Sequence, residues 1–116
     1  MATLREIHIY PVHGEPGEDL DSSVVEADGL AGDRRKKAAV HVIAADEAPG
    51  TRANLVVTLT ADELAAGIGG TLRVGEVELS LTGAPSSCPG VYAAVARPGV
   101  LRVGDGVGVT PRQAGA

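Results

Sequence analysis

The sequence predicts a mostly-β barrel with one or two short helices. Three observations predict it. Of the 116 residues, 16 are glycine. The only aromatics are Tyr10 and Tyr92, with no Phe or Trp. Val, Ile and Leu recur in short alternating runs between breaks rich in glycine and proline. Such runs read as short strands joined by tight turns around an aliphatic core. Roughly seven or eight strands are expected, and closing the sheet removes the exposed edges that so many short strands would leave.

Leu4 to Val12 alternates and carries the β-branched Ile7 and Ile9, so it reads as the first strand. Pro11 and the run His13-Gly14-Glu15-Pro16-Gly17 end it. Ser22 to Ala27 is a second strand, and Gly29 to Lys37 a charged loop punctuated by glycine. Ala38 to Ala44 is a third strand, apolar except for His41, and Ala53 to Leu59 a fourth. Thr60-Ala61-Asp62-Glu63 fits a capping box, in which the hydroxyl and the carboxylate each satisfy an orphan amide, and Gly67 stops the helix it opens. Leu72-Arg73-Val74-Gly75-Glu76-Val77 and Leu101-Arg102-Val103-Gly104-Asp105-Gly106-Val107 echo one another and are expected as two hairpins of one curved sheet. Between them, Thr82 to Pro89 is a loop and Val91 to Ala96 a helical turn. One domain over residues 1–110 is expected, with a loose tail over 111–116.

The formal net charge is −5. Nucleic-acid binding domains normally carry a basic surplus that displaces counterions from phosphates, so no nucleic-acid partner is expected. The single cysteine, Cys88, excludes an intramolecular disulfide. No apolar run approaches the roughly 18 residues of a membrane span. Arg5 and Glu6 precede any apolar stretch that could form a signal peptide. The expectation is a cytoplasmic protein.

Cys88 lies in Gly83-Ala84-Pro85-Ser86-Ser87-Cys88-Pro89-Gly90, a loop whose neighbours leave a thiol accessible. A structural cysteine more often hides in an apolar stretch. The chemistry open to this one is sulfur transfer, metal ligation or redox, each drawing on a thiolate that a nearby cation favours. Alternatively the thiol is incidental. Cations stand in Asp33-Arg34-Arg35-Lys36-Lys37, framed by Gly29-Leu30-Ala31-Gly32. A bare charge run is usually a solvated loop tip. Glycine on both sides lets the backbone approach a ligand, and Asp33 paired with Arg34 would orient a guanidinium toward a phosphate. Arg52 is a second candidate anion donor, and Asn54 can bond backbone or a polar ring edge. His8, His13 and His41 lack metal-ligand spacing and read as ordinary polar or half-buried histidines. The glycine clusters at 67–70 and 104–108 are followed by strands, not the helix a dinucleotide loop opens. The acidic pairs Asp46-Glu47, Asp62-Glu63 and Glu76/Glu78 read as solvent-facing.

In order along the chain, Ile9-Tyr10-Pro11-Val12, Gly29-Leu30-Ala31-Gly32-Asp33-Arg34, Arg52-Ala53-Asn54-Leu55-Val56-Val57, Leu72-Arg73-Val74-Gly75, the Cys88 loop and Gly99-Val100-Leu101-Arg102-Val103-Gly104-Asp105 resemble the MOSC domain, named for the C-terminal domain of molybdenum cofactor sulfurase. The resemblance runs from about Leu4 to Val109. It implies a barrel related to that of pyruvate kinase and a role around the molybdenum cofactor (molybdopterin). It makes Cys88 the sulfur carrier or the metal ligand. It makes Arg34 and Arg52 candidates for the pterin phosphate, with Asp33 and Asn54 as organisers of the same cofactor-binding site. A cysteine desulfurase or a molybdoenzyme is the implied partner. Larger members reduce N-hydroxylated compounds, which gives the alternative of a small molybdenum-cofactor-dependent oxidoreductase. This chain is shorter than those members after the charged loop and after Cys88, and Ser86-Ser87 replace a basic residue common before the cysteine. A non-catalytic binding barrel with a truncated pocket is the third reading.

Overall fold

A computed structural model describes residues 2–12, 14–34, 38–48, 51–86 and 88–111. The expectations that concern His13, Arg35, Lys36, Lys37, Ser87 and residues 112–116 lie outside them. The elements run β1 (Leu4–Ile9), β2 (Glu18–Leu20), β3 (Ser22–Glu26), β4 (Gly29–Leu30), β5 (Val40–Ala44), a 3₁₀ turn (Ala45–Glu47), β6 (Leu55–Val57), α1 (Ala61–Ala66), β7 (Thr71–Val74), β8 (Val77–Gly83), β9 (Val91–Arg97), β10 (Gly99–Arg102) and β11 (Val107–Thr110).

Eight strands form one curled sheet in the order β11-β7-β8-β9-β5-β6-β1-β2, and β10-β3-β4 form a second, smaller sheet. Neighbours pair antiparallel except β5 with β6, which run parallel. The curl is closed at one end by the backbone. Thr3 bridges Gly106, Leu4 N–H donates to Asp105 O at 2.9 Å, and Gly104 N–H donates to Leu4 O at 2.7 Å. The inner face is aliphatic, built from residues such as Leu4, Ile7, Val42, Leu55, Leu72, Leu79, Val91 and Leu101. Ile43, Ala53 and Val56 form a separate cluster on the other face of β5 and β6. This is the expected mostly-β barrel class, with one α-helix and one 3₁₀ turn among the described residues.

The helix begins as its sequence demands. Thr60 accepts from Glu63 N–H at 3.1 Å, and Glu63 Oε1 accepts from Thr60 N–H at 2.9 Å. At Gly67 a Cβ would meet Val109 Cγ1 at 2.8 Å, so the helix end packs directly against β11.

Several local expectations are corrected. Val91 to Ala96 is not a helical turn: it lies in β9, where Val91 and Ala93 point inward and pairing with β8 and β5 satisfies both edges. The second echo is not a hairpin. Gly104 turns the chain at φ +99, but β10 then pairs with β3 and β11 with β7, so the turn carries the chain from one sheet to the other. The described residues form eleven strands rather than seven or eight: β9 replaces the expected helical turn, β4 arises from the segment read as loop, and β2 follows the turn expected over residues 13–17. β1 stops at Ile9, short of Val12. Tyr10 N–H is drawn off to the Asp33 carboxylate at 2.8 Å, and Pro11 has no N–H to continue a ladder. β5 starts at Val40 and β6 at Leu55, each two residues late, while β8 extends through Gly83.

Candidate functional site

The site grows from one face of β5. Val40, Val42 and Ala44 fill the core, so alternation turns His41 and Ile43 to the opposite face. Opposite His41 in the β5–β9 ladder is Tyr92, and the two rings meet edge to face at 5.4 Å. His41 Nε2 lies 2.9 Å from the Pro89 carbonyl oxygen. A carbonyl only accepts, so Nε2 carries the hydrogen.

Gly90 lets that contact form. Its φ is +101, and a Cβ there would stand 2.6 Å from His41 Nε2 and 2.7 Å from Val42 O. Only glycine permits both the backbone angle and the approach. Cys88, Pro89 and Gly90 therefore lie down across β5, with the Cys88 thiol exposed. Pro89 and Cys88 line a cleft of about 310 Å³ with His41, Thr51 and Arg52.

Arg52 enters this cleft from the segment before β6. Its guanidinium sits 4.4 Å above the centre of the Tyr10 ring, and Nη2 donates to Glu15 O at 2.8 Å. Stacking and one hydrogen bond restrict the side chain while leaving further N–H donors for an anion. Burial raises the Tyr10 pKa above its ordinary value; the Arg52 charge opposes the shift, and Asp19, Asp33 and Glu6 add to it.

Asp33 and Asn54 lie beneath this surface. Asp33 Oδ1 accepts from Tyr10 N–H at 2.8 Å, and Oδ2 accepts from Asn54 Nδ2 at 3.1 Å. Asn54 Nδ2 also donates to His8 O at 3.2 Å, while Asn54 Oδ1 accepts from His41 N–H at 3.0 Å. Asn54 is wholly buried. Any part it takes in holding a ligand runs through the backbone it braces. The two motifs thus meet, 21 residues apart in sequence.

Arg34 is exposed, bonds through its backbone N–H to Tyr10 O at 3.2 Å, and is not among the described residues lining the cleft. The structure therefore brings Cys88 to Arg52, ties Asp33 to Asn54 below, and leaves Arg34 on the neighbouring loop. His41 is the site residue that the sequence reading passed over. Its signal was a polar residue inside an otherwise apolar strand. His8 lies elsewhere, between Asp19 Oδ1 at 2.6 Å and Glu6 Oε1 at 2.8 Å. Among the described residues no group of three His, Cys, Asp or Glu side chains could hold a metal ion, and no helix is long and apolar enough to cross a membrane.

No family model and no curated protein matches the chain by sequence. Solved structures do match in fold. The YuaD protein from Bacillus subtilis superposes with a TM-score of 0.72 at 15% identity, over 92% of this chain and 94% of that one. YiiM from Escherichia coli superposes with a TM-score of 0.72 at 16% identity, over 97% of this chain and 71% of that one. YiiM from Geobacillus stearothermophilus gives 0.69 at 13% identity, covering 100% of this chain and 78% of that one. The chain shares their fold.

Proposed function

We propose that this is a minimal MOSC-like domain that carries sulfur on Cys88. The observation that supports this most directly is the exposed Cys88, which lines one cleft with Arg52. The fold shared with YuaD and YiiM and the order of the sequence motifs support the family reading. In the proposed step the Cys88 thiolate attacks the terminal sulfur of a donor persulfide. A new S–S bond forms on Cys88, the donor's S–S bond breaks, and the donor leaves as a thiolate. No net oxidation is required. A cysteine desulfurase is the donor class this chemistry calls for, with a molybdoenzyme as the proposed recipient.

The donor set also fits the molybdenum cofactor at its two ends. A thiolate is a soft metal ligand and a guanidinium matches a phosphate. The cleft, at about 310 Å³, sits at the small end of the usual range for ligand pockets. Cys88 would face the metal and Arg52 the phosphate, with Asp33 and Asn54 bracing the backbone and Arg34 a second candidate for the phosphate from the adjacent loop. The cofactor, when bound, supplies redox chemistry at molybdenum.

The test is intact-protein mass spectrometry after incubation with a cysteine desulfurase and cysteine, run native and then denatured. One extra sulfur atom that survives denaturation on the wild type and is absent from Cys88→Ser is the expected result. Sulfur retained on the serine variant, or a bare wild type beside a desulfurase that loads a control acceptor, overturns the carrier reading. A larger adduct lost on denaturation, from a host that makes the cofactor, favours the cofactor-binding reading.

A further inference from the structure

We infer that His41 is the positioning residue of this site: by donating from Nε2 to the Pro89 carbonyl, it holds the Cys88 loop at the cleft that Arg52 also lines. The inference rests on the proposed role of Cys88 but is tested without it. Three observations carry it. The donor–acceptor distance is 2.9 Å, and the acceptor belongs to the residue directly after the cysteine. Gly90 meets the imidazole so closely that any side chain there would collide with Nε2 at 2.6 Å. The residue itself is held twice, its ring by Tyr92 edge to face at 5.4 Å and its backbone N–H by the Asn54 side-chain oxygen at 3.0 Å. A nearly buried, braced histidine that spends its N–H on the loop carrying an exposed thiol anchors that loop. Residues 88–90 lie before the β8–β9 ladder, whose last pair on that side is Gly83 with Tyr92.

An oriented loop keeps Cys88 on the cleft that Arg52 also lines, and the Arg52 charge should then discriminate between reagents by charge. Cys88 is the only cysteine, so alkylation reports on it alone. The experiment compares the rates of iodoacetate (anionic) and iodoacetamide (neutral) on wild type, His41→Phe, His41→Gln and Arg52→Met. Arg52→Met should lower the iodoacetate-to-iodoacetamide ratio at least about twofold, because it removes a positive charge from a residue lining the same cleft. His41→Phe keeps an aromatic ring against Tyr92 but has no donor, and should lower the ratio to a similar extent. His41→Gln can still donate to Pro89 O and should restore it. A ratio unchanged in His41→Phe overturns the inference. So does a ratio in His41→Gln as low as in His41→Phe, since ring packing would then carry the effect. Thermal melts of all four proteins exclude a variant that has not folded; if His41→Phe fails to fold, a ratio in folded His41→Gln within about twofold of wild type supports the inference and a larger drop overturns it. Failure of sulfur loading on the wild type would sink the carrier reading and leave this result standing.

Discussion

Asn54 grips the backbone of His41 from both directions. His41 N–H donates to the Asn54 side-chain oxygen at 3.0 Å, and Asn54 N–H donates to the His41 carbonyl at 2.8 Å. The same Asn54 side-chain amide reaches Asp33 and the His8 carbonyl. One buried side chain therefore joins β1, β5, the start of β6 and the glycine-bracketed loop, directly beneath the residue that holds the cysteine loop. Buried polar groups of this kind are costly unless satisfied, and this one is satisfied on every side.

Asn54→Ala should therefore be severe. It leaves His41 N–H and the Asp33 carboxylate without their amide partner in a water-poor setting. A loss of about 2–4 kcal/mol is expected. Urea denaturation of the two proteins measures it. A change below about 0.5 kcal/mol would mean that neighbouring groups or water replace the amide without cost.

Gly90 and Gly104 make a matched pair for separating backbone strain from collision. Both have φ near +100, at +101 and +99, but only at Gly90 would an added methyl meet other atoms within 4 Å. Gly104→Ala should cost about 1–2 kcal/mol, the usual penalty of a left-handed angle. Gly90→Ala should cost about 1–3 kcal/mol more, through overpacking against His41 and Val42. It should also slow sulfur loading, whereas Gly104→Ala should not. Equal destabilisation of the two would show that the Cys88 loop moves away freely.

The pH dependence of stability should carry a mark of Tyr10. Burial lifts its pKa above the ordinary 10.0, with Arg52 partly opposing. The folded state thus holds the phenol proton more tightly than the unfolded state. Its contribution to stability is complete below pH 10 and is lost as the pH rises through the folded value. Tyr10→Phe, which keeps a ring under Arg52, should flatten the fall in urea midpoint above pH 10. With no Trp in the chain, the tyrosinate absorbance difference between wild type and variant isolates the Tyr10 titration. A midpoint at or below 10 would contradict the burial argument.

Thr60→Ala tests the one helix start visible in the sequence. It removes the hydroxyl that accepts from Glu63 N–H at 3.1 Å. A loss of about 1 kcal/mol is expected, with Cys88 alkylation unchanged because α1 is not part of the cleft wall. A shift in alkylation would reveal a coupling between helix and site that the fold does not suggest.

The β class, the aliphatic core and the capped helix were all legible in the residues alone. Alternation, glycine turns and a capping box are local, and each acts within a few residues. Cys88 and Asp33 also stood out, as a thiol in a proline–glycine loop and a carboxylate in a glycine-framed charged loop, while Arg52 and Asn54 were picked out at the opening of the fourth strand and by the order of motifs that resembles the MOSC domain. What those residues touch was set by packing over long range. Asp33 and Asn54 meet only because β6 lies beside β1 and the loop after β4 folds back on Tyr10. Whether Leu101 to Val107 makes a hairpin was equally a matter of which sheet each arm joins, since the Gly104 turn is compatible with either outcome. The helical turn expected at Val91 became a strand because β5 and β8 offered unpaired edges on both sides. His41 was the furthest from view. A histidine in an apolar strand has no local signature for a loop 48 residues away, and only the packed sheet brings the Pro89 carbonyl to its ring.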